Sequence, residues 1–272
     1  MEQQRIAVGI DFGTSNSAVA DVSISGQPQP IQPEGARAKV LPSVVFLGPD
    51  GPVVGEAALA EEPAQPGRVV RSVKMQLGSD TRYIIDGRPW APEEIGAEVL
   101  RALAELVERQ RGGAAIGLAV IGTPAQPRPG YTGALEDAAR LAGISRVAFL
   151  DEPTAAMLGY GLDQWPRQNV LVFDIGAGTC DVSLVYVESG QAYPRYRASN
   201  EIAGDRFDQV VAEMLLDEFS RQHGPTAWND LTPEARQLLK RRAEEAKIGL
   251  SRAADVPVPI MIDLMQIGRA HV

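Results

Sequence analysis

Cysteine and histidine are nearly missing from this chain of 272 residues: Cys180 is the one cysteine, and His223 and His271 are the only histidines. A single thiol excludes an internal disulfide and any cysteine-based zinc site, and two imidazoles leave little scope for histidine metal centres or histidine-based catalysis. Lysine is scarce too, with Lys39, Lys74, Lys240 and Lys247 set against twenty-two arginines. No run approaches the roughly 18 apolar residues of a membrane span. The amino terminus MEQQRIAVGIDFG lacks a basic-then-apolar leader pattern, because Asp11 interrupts the apolar run. The expected compartment is therefore the cytoplasm. A net charge of −9 argues against nucleic acid or an anionic membrane as partner, since both would repel the chain. Two common phosphate signatures are also missing. There is no GxxxxGK[ST] and no strand-linked GxGxxG, so a P-loop or Rossmann reading lacks its central support.

What is present is an ordinary globular balance of 44% apolar and 22% charged residues, enough for one large domain or two lobes of about 130 residues each. One device occurs twice. IAVGIDFGTSNSAVADV (6–22) and VLVFDIGAGTCDVSLVYV (170–187) each run from apolar residues to Asp, through a turn of Gly and small hydroxylic residues, into a second apolar run. Glycine between two β-type runs marks a hairpin whose backbone turns tightly or approaches something closely. Its repetition points to two related lobes. GQPQPIQPEG (26–35) reads as a Pro/Gln-rich surface loop, and PSVVFLG from Pro42 as a short buried strand. A helix is predicted over 91–113, with Pro92 and Glu93–Glu94 in the first turn, Arg109 and Arg111 in the last, and Ile95, Val99, Leu103, Leu106 and Val107 in one stripe. Further helices are predicted over 132–142, ending at Gly143, and over 206–222, with Phe207, Val210, Val211, Met214, Leu215 and Phe219 on its inner face. A fourth runs from the Thr232–Pro233–Glu234 cap to Leu250. VPVPIMID (256–263) reads as a strand. Alternating strands and helices give an α/β class with mixed sheets.

The paired Asp-Gly-hydroxyl turns carry the chemistry. Two such turns facing each other can offer consecutive backbone N–H groups to phosphate oxygens, and their aspartates can organise Mg²⁺ or a hydrolytic water. Together with IDFGTSNS (10–17), SVKMQLG (72–78), DEPTAAMLGYGLD (151–163), FDIGAGTCDVS (173–183), IAGDRFD (202–208) and EEAKIGLS (244–251), they make the chain resemble the nucleotide-binding domain of the seventy-kilodalton heat-shock chaperones. The resemblance spans about residues 5–264. DEPTAA followed by YGLD is specific to that family, whereas the hairpins mark the wider actin–hexokinase–chaperone superfamily.

The resemblance implies an actin-like, ribonuclease-H-like two-lobe ATPase fold with an incomplete second lobe. Residues 1–166 would form lobe I with an inserted subdomain at about 38–115, and 167–265 a partial lobe II. The last seven residues, 266–272, read as a non-native tail, because QIGRAHV matches what a common sequencing adapter encodes in one frame. ATP or ADP with Mg²⁺ is the implied ligand. Asp11 and Asp174 would hold the metal through water. Gly13, Thr14, Ser15 and Asn16 would form one phosphate loop, and Gly176, Ala177, Gly178 and Thr179 the other. Lys74, Glu152, Asp174 and Thr179 would act on the γ-phosphate and the attacking water. Ala203 and Gly204 would approach the triphosphate, and Glu244, Lys247 and Ser251 the adenosine.

The implied function is an ATP-hydrolysing chaperone domain whose complete protein works with unfolded clients and co-chaperones. An actin-like filament protein, a stand-alone regulatory ATPase and a hexokinase-like small-molecule kinase are the alternatives. Three departures stand out. Ala177 and Ala203 replace usual glycines, Thr132 stands where the family places an arginine of its interdomain relay, and AQPRPGYTG replaces an aromatic-rich run after Pro124. An open sheet edge and weak or no ATP binding are expected of these residues alone.

Overall fold

Alternating burial sets the first strand. The structure, a computed structural model, describes residues 5–23, 25–33, 40–164 and 166–258. In β1 (Arg5–Phe12) Val8, Ile10 and Phe12 are buried while Asp11 stays accessible on the other face. A tight turn returns the chain as antiparallel β2 (Asn16–Val22), which also pairs with β3 (Pro28–Ile31) and β4 (Leu41–Pro42). Strands β5 (Val45–Gly48) and β6 (Gly51–Val54), helix α1 (Glu56–Glu61) and β7 (Val69–Val70) make a small three-stranded sheet with one helix against it. A 3₁₀ turn over Val73–Gln76 and the ribbon of β8 (Tyr83–Ile85) and β9 (Arg88–Trp90) lead into α2 (Pro92–Gln110). Then follow β10 (Ala115–Thr123), α3 (Tyr131–Leu141) and β11 (Val147–Asp151). The main sheet has the order β11-β10-β1-β2-β3, with β4 also on β2 and with β11, β10 and β1 parallel.

Helix α4 (Glu152–Gly159) connects to an antiparallel meander of β12 (Arg167–Ile175), β13 (Cys180–Glu188) and β14 (Gln191–Asn200). Helices α5 (Gly204–His223) and α6 (Pro233–Leu250) pack on each other, and Ala212, Leu216, Leu231, Ala235, Leu239 and Ala243 are buried between them.

The largest core lies between the main sheet and helices α2 and α3. Ile95, Val99, Leu103, Leu106 and Val107 are all buried there, as their spacing predicts, each contributing about 1.5–3 kcal/mol by leaving water. The Glu94 carboxylate accepts a hydrogen bond from the N–H of Ala91 at 2.8 Å, closing the start of α2. Helix α3 ends as expected, with Gly143 left-handed at φ 86° just beyond it.

Three expectations change. Part of the predicted 26–35 loop is strand β3, whose prolines are tolerated because β3 is an edge strand with one neighbour in the main sheet. On α5 the predicted inner face is too wide: Phe207, Val210 and Met214 are exposed, while Asp208, Ala212 and Leu216 are buried with Val211, Leu215 and Phe219 beside them. Helix α6 covers only that second stripe. The predicted strand at 256–263 has no strand over 256–258, and the rest of it lies outside the described residues, as does the tail 266–272.

Candidate functional site

The two hairpins match residue for residue. Each aspartate pairs across its hairpin with the residue seven positions on, Asp11 with Ala18 and Asp174 with Asp181. In the first turn a Cβ on Gly13 would lie 2.0 Å from the carbonyl oxygen of Asn16, so only glycine fits the reversal. In the second, a Cβ on Gly178 would meet Met75 Sδ at 2.3 Å and Thr14 Oγ1 at 2.9 Å. That contact brings the turns together, because Thr14 belongs to the first and Gly178 to the second. The second turn is clamped from behind. Gly176 N–H donates to Thr179 O at 2.9 Å, while Gly204 N–H donates to Gly176 O at 3.1 Å and Asp205 N–H to Ala177 O at 2.7 Å. The start of α5 is thus bonded to the turn. Ala203 is fully buried.

Between the turns sits a buried ion pair. The 3₁₀ turn after Ser72 carries Lys74, whose Nζ donates to Glu152 Oε1 at 2.7 Å, with side-chain exposures of 7% and 16%. Asp151 fixes Glu152 by capping α4. Its Oδ1 accepts from Thr154 N–H at 3.0 Å and Thr154 Oγ1 at 2.7 Å, while Oδ2 takes Arg197 at 3.0 Å. Gly122 leaves room for Glu152, since a Cβ there would lie 3.2 Å from Glu152 Cγ.

Burial pushes the Glu152 carboxyl above its usual range; Lys74 opposes that shift, and the charges of Asp11 and Asp174 add to it. Asp11 is raised as well, chiefly by the protein atoms around it although the residue remains accessible, with Lys74 lowering it and Asp174 raising it. Three carboxylates therefore share one field with one lysine. Among the described residues no group of three or more His, Cys, Asp or Glu side chains converges as a direct metal cluster.

Beside the turns opens a cleft of about 600 Å³, lined among others by Thr14, Ser15, Arg71, Asp205, Lys240 and Glu244. Arg71 spans it. Its guanidinium grips Glu62 at 2.6 and 2.8 Å and reaches Glu244 at 3.5 Å. Gln237 also donates to Glu62 at 2.9 Å, and Ser72 to Asp205 at 3.1 Å. Burial raises the Glu244 carboxyl and, more weakly, Arg71 draws it down.

Of the residues singled out in the sequence, Asp11, Gly13–Asn16, Lys74, Glu152, Asp174, Gly176–Thr179, Ala203 and Gly204 are brought to the turns or their immediate support. Glu244 is brought to the cleft. Lys247 is engaged by Asp208 at 2.7 Å and by Gly204 O at 3.4 Å. Ser251 ends α6, exposed, with its hydroxyl on Lys247 O at 3.4 Å, and does not line the cleft. Arg71, Asp205 and Tyr131 escaped the sequence reading. Arg71 directly precedes the SVKMQLG run and Asp205 lies inside IAGDRFD, so position within a motif was the available signal; Tyr131 lies inside AQPRPGYTG, which stood out only as a departure.

Comparison with known proteins places the sequence in a family. The family profile described as "Hsp70 protein" matches residues 7–85 and 80–272. The chaperone proteins DnaK of Thermotoga neapolitana, Thermotoga petrophila and Thermotoga maritima are each 36% identical over 262 residues, which is 95% of this chain and 43% of theirs. The chain thus spans less than half the length of these curated relatives. With its paired hairpins and mixed sheet in the actin-like ATPase arrangement of that family, the chain belongs to the Hsp70 family.

Proposed function

We propose that this chain is the ATP-binding and ATP-hydrolysing part of a chaperone-type protein that assists protein folding. The carrying observation is the buried Lys74–Glu152 pair at the foot of two facing glycine turns. A fixed ammonium suits a phosphoryl group, because charge spreads over its oxygens as the bond breaks. The turns at Gly13–Asn16 and Gly176–Thr179 supply backbone N–H donors at places where a Cβ would obstruct close approach.

The charges of Asp11 and Asp174 repel each other, and an oxygen-only pair of carboxylates fits Mg²⁺ held through water. Bound magnesium would neutralise charge on the phosphate oxygens. Glu152 accepts a hydrogen bond from the attacking water and aims it. The water oxygen bonds to the γ-phosphorus, the bond to the β,γ-bridging oxygen breaks, ADP leaves with that electron pair, and the water's proton ends on phosphate. Glu244 serves the adenosine end from the cleft wall, with Lys247, held by Asp208, and Ser251 further along the same helix.

In this reading residues 1–166 and 167–265 belong to two lobes, and the whole protein acts on unfolded clients with co-chaperones, in keeping with relatives named chaperones. The test is calorimetry and phosphate release in the complete gene product. Saturable MgATP binding with slow phosphate release is expected. Binding without any release, or no binding, sinks the reading. The 272 residues alone are expected to bind MgATP weakly or not at all.

A further inference from the structure

Tyr131 is the first residue of α3. Its side chain is 3% exposed, and its hydroxyl has no hydrogen-bond partner among the described residues. A buried hydroxyl left unpaired is costly, and an apolar ring would fill the space without that cost. Tyr131 also lines a second cavity, of about 460 Å³, shared with Lys74, Met75, Arg128 and Thr179. Lys74 and Thr179 tie this cavity to the phosphate end of the site, away from the cleft that holds Glu244.

The charged groups acting on the phenol are Glu152, Arg128 and Asp11. Burial raises it most, Glu152 and Asp11 raise it further, and Arg128 opposes them. The hydroxyl therefore keeps its proton and can only gain by donating it to a hydrogen bond. Glu152, the carboxylate whose charge acts on the phenol, is held by Lys74 at 2.7 Å. Lys74 cannot serve Glu152 and a phosphate oxygen equally well. As it turns to the phosphate, a largely buried carboxylate loses its donor.

We propose that Tyr131 is a positioning residue of the hydrolytic reaction: its hydroxyl takes over the Glu152 carboxylate when Lys74 turns to the phosphate, and so keeps Glu152 aimed at the attacking water. This rests on the ATPase reading above.

The experiment is a double-mutant cycle in the complete gene product with Tyr131→Phe, Glu152→Gln and both together. It reads kcat, MgATP affinity and the thermal midpoint. Tyr131→Phe is expected to lower kcat about tenfold, a fraction of what a general base contributes, with affinity unchanged and the midpoint the same or higher, since a costly unpaired hydroxyl is removed. In the Glu152→Gln background the same hydroxyl removal should change kcat less than about twofold, since the two act as one unit. An unchanged kcat in Tyr131→Phe overturns the proposal. So does an equal loss in both backgrounds, which would mean that Tyr131 acts independently of Glu152. A loss of kcat accompanied by a lower midpoint and weaker binding would assign it a packing role instead. If the unaltered protein turns over no ATP, the ATPase reading itself fails and this inference with it.

Discussion

Gly13 is where one added carbon has least room, because the atom it would strike is backbone: Asn16 O at 2.0 Å. Gly13→Ala is expected to cost about 1–3 kcal/mol of stability and to abolish MgATP binding, read by thermal melts and calorimetry. The need for glycine here was legible from the hairpin pattern. The need at Gly178 was not, because its obstacles, Met75 and Thr14, come from distant parts of the chain. Lys74 gives a second prediction. Lys74→Ala should slow phosphate release by about 100-fold or more while leaving MgATP affinity within a few-fold, as for a group acting mainly in the transition state. It also strands Glu152, costing roughly 1–3 kcal/mol at neutral pH. The sign of the pH effect follows. The folded-state pKa of Glu152 is already raised, by burial first, and losing Lys74 raises it further. The stability of the variant is then fully present below the unfolded pKa of Glu152 and is lost as pH rises through the folded one. Melts of variant and parent should converge towards about pH 4.

At the scale of elements, legibility depended on whether local signals agreed. Helix α2 was readable from its start because Pro92, Glu94 and the apolar stripe all specify the same segment, although it stops at Gln110, short of the predicted 113, with Arg111 just beyond its end. For α5 the apolar residues outnumber what one partner covers, so composition could not say that α6 takes the Ala212–Leu216 stripe and leaves Met214 out. Strand β3 was hidden by its prolines, which read as breakers until β2 supplies an edge to pair with. The element that starts at Glu152 is α4. Asp151 caps it through one oxygen and binds Arg197 of β14 through the other. Asp151→Ala should cost about 1–2 kcal/mol and reduce turnover by releasing Glu152. Asp151→Asn keeps an amide oxygen for the cap and should retain most of the stability. Equal destabilisation in the two variants would assign the effect to the Arg197 contact rather than the cap.

At the scale of the whole molecule, the main sheet and its helices bury a large continuous core, whereas the β12–β13–β14 meander is covered unevenly. Strand β12 pairs only with β13 among the described residues. It turns Leu171, Phe173 and Ile175 outward with exposures of 69%, 63% and 50%. A free edge beside an apolar row is a template for another strand, and patches of this kind drive association. The 272 residues should therefore self-associate as concentration rises, visible as growing species in sedimentation velocity. Leu171 is the position to alter, since it is the most exposed of the three and lies away from Asp174. Leu171→Lys places a charge on the edge, where natural sheets use it to block pairing. It should shift association to higher concentration while changing stability by no more than about 0.5 kcal/mol, as expected of an exposed site. Undiminished association would clear the β12 edge and direct attention to the other open apolar face, the Phe207–Val210–Met214 side of α5. Since α5 is bonded through Gly204 and Asp205 to the second glycine turn, a partner seated there would bear directly on that turn.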